Sequence, residues 1–456
     1  MGNVIAINIG TSFCTASLMD PATGKPEQVV FQGNTVRLPS VVFFPKDAPP
    51  IVGLEPYHQL ENLTTMSEEQ RDYVLQHTIL DIKRRMSVRG CFHFKERDYT
   101  HDEVLAEIIK RVSEEATLFS PLSGDITDVV LTYPTNFEEW QKEMYKRAAR
   151  LAGFKKVSIL EEPVATTIGC LQSYQIDNAH GVIVYDFGTF SFNASYVQID
   201  HQSFHIAQPP RYVNQCGGSD IDMLLYQHLE QLLQSKFHRP ISKVDGEVDF
   251  DILVRCRRQK ELLSQVKSIM ISELIPSHDG ETSLLIETML SRDAFNGMIK
   301  ELIDKTLKET TELANVVRSA NLPLDYILIS GGSSKIPLVE ETLRSAFPDL
   351  KLLSEGETGT TAPIGALYYL NQSKDEKDFV NSESNPHNLE LSSALYRNSA
   401  TIVNQVKNRL INAVGMIPSQ FKKGEKHCNC YYCKNKISVA DKFCQYCGKP
   451  NIYYSE

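Results

Sequence analysis

Three short apolar strands in this chain each run straight into a glycine turn, and together the turns outline a nucleotide pocket. They are Val4 to Ile9 followed by Gly10-Thr11-Ser12-Phe13, Gly181 to Asp186 followed by Phe187-Gly188-Thr189, and Tyr326 to Ser330 followed by Gly331-Gly332-Ser333. Glycine after a buried strand lets the backbone take positive φ and approach a ligand closely, so that N–H groups face phosphate oxygens. One such turn is ordinary loop punctuation; three in series constrain the fold. Strands such as Asp128 to Tyr133 alternate with helical stretches, as in an α/β protein. Thr100 with Glu103 reads as a capping box ahead of Val104, Leu105, Ile108, Ile109 and Val112. Another helix is predicted from Asn136. Ser291 precedes a core-facing stripe of Phe295, Met298, Ile299, Leu302 and Ile303.

The cysteines divide into two groups. Cys14, Cys91, Cys170, Cys216 and Cys256 are scattered and are expected to be buried thiols of a reducing compartment. Near the C-terminus, Cys430-x-x-Cys433 and Cys444-x-x-Cys447 have the spacing of a tetrahedral Zn²⁺ site, a zinc ribbon over 427–456. Cys428 and His427 are spare donors, and a redox disulfide pair is the rival reading. Four thiolates leave no open position, so such a site is structural and its outer surface carries the work. Tyr431, Tyr432, Tyr446, Tyr453 and Tyr454 with Lys434, Lys436, Lys442 and Lys449 suit an acidic protein or RNA; alternatively they pack and solvate a tiny core. Residues 371–398 have linker composition. In 399–426, Ile402, Val406, Leu410 and Val414 read as an amphipathic helix that docks on the body, recruits a partner or touches a membrane surface.

The three turns, taken with further segments in order, resemble the ATPase domain of DnaK-type heat-shock chaperones, in the actin and sugar-kinase superfamily, over residues 1 to about 370. Asp81 to Arg85 looks like the family's D-A-K-R segment, and Leu160 to Ala165 like its N-E-P-T-A crossing helix. Cys216 to Asp222 is similar to its L-G-G-E-D-F-D loop, Arg255 to Ser264 to its E-R-A-K-x-x-L-S helix, and Ser330 to Pro337 to its adenosine motif. The resemblance implies a two-lobed actin-like ATPase fold, each lobe a mixed sheet with helices (1–177 and 178–370), closing around ATP or ADP with Mg²⁺. It implies catalytic roles for Lys83, Glu162 and Asp186. It also implies nucleotide contacts from Asn8, Gly10, Thr11, Ser12, Phe13, Gly188, Asn193, Gly217, Gly218, Ser219, Lys260, Ser264, Gly331, Gly332, Ser333 and Lys335.

Several positions depart from the family pattern. Asn8 and Asn193 stand where it has aspartates that arrange the metal's water shell, and an amide brings no charge. Two such losses predict slow or absent hydrolysis, since one commonly costs about 10²- to 10³-fold. Thr189 and Phe190 replace glycines; a bulky residue at positive φ is an outlier, and a benzyl group would fill γ-phosphate space. Either the loop takes another path, or the triphosphate binds differently, or no nucleotide binds. Phe187, Phe190 and Phe192 form a hydrophobic hairpin in their own lobe or occlude the site. Arg257 and Glu261 reverse the family's charges, Lys335 replaces an adenine-stacking arginine, and Gly359 replaces a ribose-side acid.

The chain's 456 residues suffice for two lobes and a small appendage. No apolar run approaches a membrane span, the first strand leaves no room for a signal peptide, and a cytoplasmic location is expected. A net charge of −10 argues against general nucleic-acid binding by the body, whereas residues 401–456 carry nine Lys or Arg against three acids, a net +6. The residues after 370 are too few for the family's peptide-binding region, so a peptide clamp is not expected. The expected function is a nucleotide-dependent switch or scaffold with weak or absent ATP hydrolysis, recruiting a protein partner through the ribbon. An ATP-dependent transferase or kinase, and a chaperone mimic that binds co-chaperones, are the alternatives.

Overall fold

Buried apolar strands in two separate runs of the chain build two mixed sheets of the same design. The computed structural model describes residues 3–372 except 21–22, 87–89, 95–96, 120–125, 202, 239–240, 242–247, 276–282 and 357, together with the backbone of 427–429 and 436–438. The first sheet contains β1 (Asn3–Ile9), β2 (Phe13–Met19), β3 (Pro26–Gln28), β4 (Leu38–Pro39), β5 (Ile126–Tyr133) and β6 (Lys156–Glu161), in the order β6-β5-β1-β2-β3 with β4 beside β2. The second contains β7 (Gly181–Phe187), β8 (Ser191–Asp200), β9 (Ser203–Ile206), β10 (Arg211–Asn214), β11 (Tyr326–Ser330) and β12 (Lys351–Ser354), in the order β9-β8-β7-β11-β12 with β10 beside β8. Each sheet opens with an antiparallel hairpin and continues through two parallel neighbours. Parallel strands covered on both faces read as continuous apolar runs, which is why they were conspicuous in the sequence. This is the expected two-lobed α/β architecture.

Besides the helices Leu54–Glu61, Glu68–His77 and Ile82–Arg85, the described residues form α1 (His101–Phe119), α2 (Glu139–Leu151), α3 (Glu162–Tyr174), α4 (Gly218–Phe237), α5 (Phe250–Gln265), α6 (Arg292–Ser319), α7 (Pro337–Ala346) and α8 (Thr361–Gln372). Glu103 accepts from the backbone N–H and the hydroxyl of Thr100, at 2.8 and 3.2 Å, ahead of the first turn of α1. Helix α2 starts later than expected from Asn136, because extended Glu138 is its cap and Gln141 returns an oxygen to the Glu138 N–H at 2.8 Å. Ser291 caps α6 through the Ala294 N–H as read, and α8 runs through Gln372, two residues into the expected linker.

Each sheet has its own core, and a third core lies between the sheets. That shared core is built on α3 and α8, with Val164, Ala165, Ile168 and Leu171 meeting Ala362, Ala366 and Leu367. From Pro163 to Leu171 every residue of α3 is buried, as befits a helix with no solvent face. Among the described residues, Cys14, Cys170, Cys216 and Cys256 are buried, Cys91 is only half-buried, and all five are free thiols. No helix among the described residues is long and apolar enough to cross a membrane. Strands 427–429 and 436–438 pair antiparallel, His427 opposite Ser438. Cys430, Cys433, Cys444 and Cys447, the linker from 373 and the stretch 399–426 lie outside the described residues.

Candidate functional site

The first two glycine turns occupy equivalent corners of the two sheets and close the same way. The Gly10 N–H donates to Phe13 O at 3.0 Å and the Gly188 N–H to Ser191 O at 3.1 Å. Neither Thr189 nor Phe190 has positive φ, so the second loop takes a path that its bulky residues tolerate. The three phenylalanines divide. Phe187 and Phe192 are fully buried in the core of their own lobe, Phe192 lying 4.6 Å from the Tyr185 ring. Phe190 is half-buried, and its ring lies 5.0 Å below the Arg84 guanidinium of the other lobe. Ser12 and Thr189 share a hydroxyl hydrogen bond of 3.1 Å beside it. The tips of the two loops therefore touch across the cleft.

Other groups expected at the phosphates hold the second loop. The Gly218 and Ser219 N–H groups donate to Gly188 O and Thr189 O at 3.0 and 2.8 Å, and the Ser333 hydroxyl donates to Gly188 O at 2.8 Å. None of these bonds draws on the N–H groups of Thr11, Ser12, Thr189 or Phe190. Gly331, at φ +87, seats the third turn against the end of β7: a Cβ there would stand 2.4 Å from Phe187 O and 2.6 Å from an Asp186 carboxyl oxygen. The Phe13 ring packs within its own lobe, 5.3 Å from the Arg37 guanidinium and 6.1 Å from the Tyr57 ring.

The charged groups cluster below these loops. Lys83, in the helical turn Ile82–Arg85, forms an ion pair with Glu162, the first residue of α3, where the helix N-terminus favours a carboxylate. Asp186, one residue before the end of β7, stands opposite Asn193, which hydrogen-bonds to it. Desolvation in the cleft, followed by the charge of Glu162, pushes the Asp186 pKa up to about 7 against the pull of Lys83. Glu355, just past β12, takes the Ser330 hydroxyl and the Gly359 N–H, the latter at 2.9 Å, and burial raises its pKa as well. A carboxyl whose folded pKa is raised favours folding while protonated, so that contribution is lost as pH rises from about 4 through about 7. Asp186→Asn is thus expected to be more stable than the native chain at pH 8, with the gap closing towards pH 4; urea denaturation at both pH values reads it.

Asn8 makes two bonds that fix its amide. Its Oδ1 accepts from the Thr132 hydroxyl at 3.0 Å, and its Nδ2 donates to Gly359 O at 3.4 Å. The same carbonyl accepts from the Thr15 hydroxyl at 2.5 Å. Gly359 therefore packs on the cleft floor over Asn8, where a carboxylate would set oxygen against oxygen. Of the carboxyls in the cleft, Asp186 is bonded to the amide of Asn193, Glu162 is committed to Lys83 and Glu355 to Ser330 and the Gly359 N–H. Mg²⁺ is usually held by one or two carboxylates together with substrate phosphates; Asp186 is the group here that would hold it, and with its pKa raised to about 7 it would supply less charge than a free carboxylate.

Around the segment that resembles the adenosine motif, a cavity of about 190 Å³ is lined by residues including Ser330, Gly331, Ser334, Lys335, Pro337 and Glu355. It is smaller than the few hundred Å³ typical of ligand pockets. Lys335 is exposed and reaches Gly356 O at 3.4 Å; Gly332 is exposed beside it. Lys260 is buried against Asp222 at 2.7 Å and Gly218 O at 2.9 Å, and burial lowers its pKa against the pull of Asp222. Arg257 shares Asp222 at 3.4 Å, and the Ser264 hydroxyl turns back to Lys260 O at 3.0 Å. Arg258 joins Glu61 of the first lobe at 2.8 Å.

Sequence reasoning gave no site role to Arg84, Thr132, Asp222 or Glu355, although Arg84 and Asp222 fall within the motifs Asp81 to Arg85 and Cys216 to Asp222. Glu355 carried a usable signal, since it follows a parallel strand at its carboxyl end, where α/β sheets place ligands. The others depend on contacts between segments far apart in the chain. A family model described as Hsp70 protein matches residues 4–356. The chaperone protein dnaK1 of Prochlorococcus marinus (strain MIT 9313) is 26% identical over 362 residues, covering 76% of this chain and 53% of that protein. The chain thus spans about half the length of that relative.

Proposed function

The chain belongs to the Hsp70 family, and on that premise we propose that it is a nucleotide-binding switch or scaffold whose ATP hydrolysis is weak or absent. The observation that carries this reading is Asn8: it accepts one hydrogen bond from Thr132 and donates another to Gly359, a pattern an amide can complete and a carboxylate cannot. The cleft floor is built around the lost charge. Lys83 and Glu162 neutralise each other, and the Phe190 loop lies against the opposite lobe. The protein responds to nucleotide by opening and closing this cleft and passes that state to a protein partner. The paired C-x-x-C turns support a Zn²⁺-held ribbon at Cys430, Cys433, Cys444 and Cys447 as the recruiting module, with co-chaperones a further class of partner for the lobes and the cytoplasm the place of action.

Calorimetry with ATP and ADP tests the reading. ATP and ADP are expected to bind with similar affinities that change little on adding Mg²⁺, because Lys83 is paired with Glu162 and the Asn8 amide with Thr132 and Gly359. Binding of neither nucleotide, or a strong Mg²⁺ requirement, contradicts it.

Asp186 favours a second reading, phosphoryl transfer to an acceptor. A carboxyl with a pKa of about 7 next to the Lys83–Glu162 pair is matched to take a proton from an acceptor hydroxyl near neutrality. Label from γ-labelled ATP appearing on an acceptor, and lost in Asp186→Asn, would establish this reading over the first.

A further inference from the structure

A cluster of side chains with metal-binding chemistry lies outside the nucleotide cleft, on the antiparallel hairpin formed by Cys91–His93 and Asp98–Thr100. Its register sets Cys91 opposite Thr100, Phe92 opposite Tyr99 and His93 opposite Asp98. Side chains alternate across such a pair of strands. Phe92 and Tyr99 form the inner face with Phe94 beyond them: the Phe44 ring lies 4.5 Å from both Phe94 and Tyr99, and the Arg85 guanidinium lies 5.2 Å over Phe92. This aromatic packing fixes the hairpin on the first lobe and leaves Cys91, His93 and Asp98 together on the outer face. Cys91 is half-buried there, and His93 and Asp98 are exposed.

We propose that this outer face is a metal site, in which the Cys91 thiolate and His93 Nε2 coordinate a divalent ion of the Zn²⁺ class and Asp98 orients the imidazole. The Cys91 Sγ lies 3.4 Å from His93 Nε2. Zn–S and Zn–N bonds of about 2.3 and 2.0 Å at a tetrahedral angle separate their two ligand atoms by roughly 3.5 Å. That separation matches one edge of a zinc coordination shell, and because Sγ also lies 4.0 Å from His93 Nδ1 the sulfur sits to one side of the ring, so ion binding turns Cys91 about χ1 towards the Nε2 axis. His93 Nδ1 lies 2.9 Å from Asp98 Oδ1, so the ring donates its Nδ1 proton to the carboxylate and directs the Nε2 lone pair to the ion. A carboxylate behind a ligating histidine is the usual support for such a ligand. Binding releases the Cys91 thiol proton to solvent. Two coordination positions stay open, so this ion exchanges with solvent ligands, unlike one enclosed by four thiolates.

Cobalt titration of the full chain tests the site, with thiolate-to-cobalt charge transfer as the readout. In a chain carrying Cys430→Ser, Cys433→Ser, Cys444→Ser and Cys447→Ser, the charge-transfer band is expected to persist at one equivalent and to vanish on adding Cys91→Ser. Asp98→Asn is expected to keep the band while weakening affinity by about 10- to 100-fold, and His93→Ala to weaken it by at least as much. Should the quadruple substitution unfold the protein, the comparison is made in the native background, where Cys91→Ser and His93→Ala are each expected to lower Zn²⁺ stoichiometry by one equivalent in a chelator competition. A band unchanged by Cys91→Ser, or a Zn²⁺ stoichiometry unchanged by both substitutions, overturns the proposal.

Discussion

Gly365→Ala is expected to lower stability by about 1–3 kcal/mol or more and to loosen the nucleotide cleft at the same time. Gly365 of α8 and Gly169 of α3 lie where the two helices cross between the sheets. A Cβ at position 365 would stand 1.9 Å from Ala165 O and 2.6 Å from Gly169 N, and both are backbone atoms that cannot swing aside. The helices must separate to admit the methyl group. Because α3 begins at Glu162 and α8 follows the Gly359 loop, separation also moves the partners of Lys83 and Asn8. Gly297→Ala is the control. It lies within α6 with nothing within 4 Å of an added Cβ, so there the higher helix propensity of alanine should add up to about 1 kcal/mol. Urea denaturation of both variants reads the contrast. A Gly365→Ala protein as stable as the native chain would exclude tight contact between the crossing helices.

Restoring glycine at both loop tips, as Thr189→Gly with Phe190→Gly, is expected to tighten ATP binding by roughly 5- to 30-fold. The Arg84–Phe190 contact and the Ser12–Thr189 hydrogen bond hold the loop tips together. A partly desolvated cation–π contact and a neutral hydrogen bond are together worth about 1–2 kcal/mol. Nucleotide entry must overcome that amount, and about 1.4 kcal/mol is tenfold in affinity. The gain should be larger for ATP than for ADP, because the proposed binding mode sets the loop tip beside the terminal phosphate. Arg84→Ala separates two components: it releases the cation–π contact but leaves the ring, so it should recover only part of the increase. Equal affinities in all three proteins would remove the Phe190 loop from any role in nucleotide access.

The parts of this fold legible in the sequence are those set by local chemistry. Buried parallel strands show as the apolar runs before Gly10, Gly188 and Gly331, and Ser291 announces α6 because its cap acts within one turn. The start of α2 was misplaced for the same reason in reverse: the reciprocal bond between Gln141 and Glu138 outweighs the signal of Asn136. The candidate site was legible as a list of residues but not as a set of contacts. Phe187, Phe190 and Phe192 are alike in sequence, yet two lie in a core and one meets Arg84, which is fixed only by how the lobes approach. Gly359 was assigned to the ribose side, and only the return of the chain before α8 brings its carbonyl over Asn8. Cys91 was grouped with buried thiols, although the alternation Cys91, Phe92, His93 already marks it as facing away from the ring that packs.

The central claim is that the cleft retains its architecture while its charge arrangement for splitting ATP is gone. Phosphate release from ATP with Mg²⁺, measured for the native chain and for Asp186→Asn, tests it most directly. The account predicts release at the background rate in both proteins. Rapid Mg²⁺-dependent release by the native chain that disappears in Asp186→Asn would contradict it.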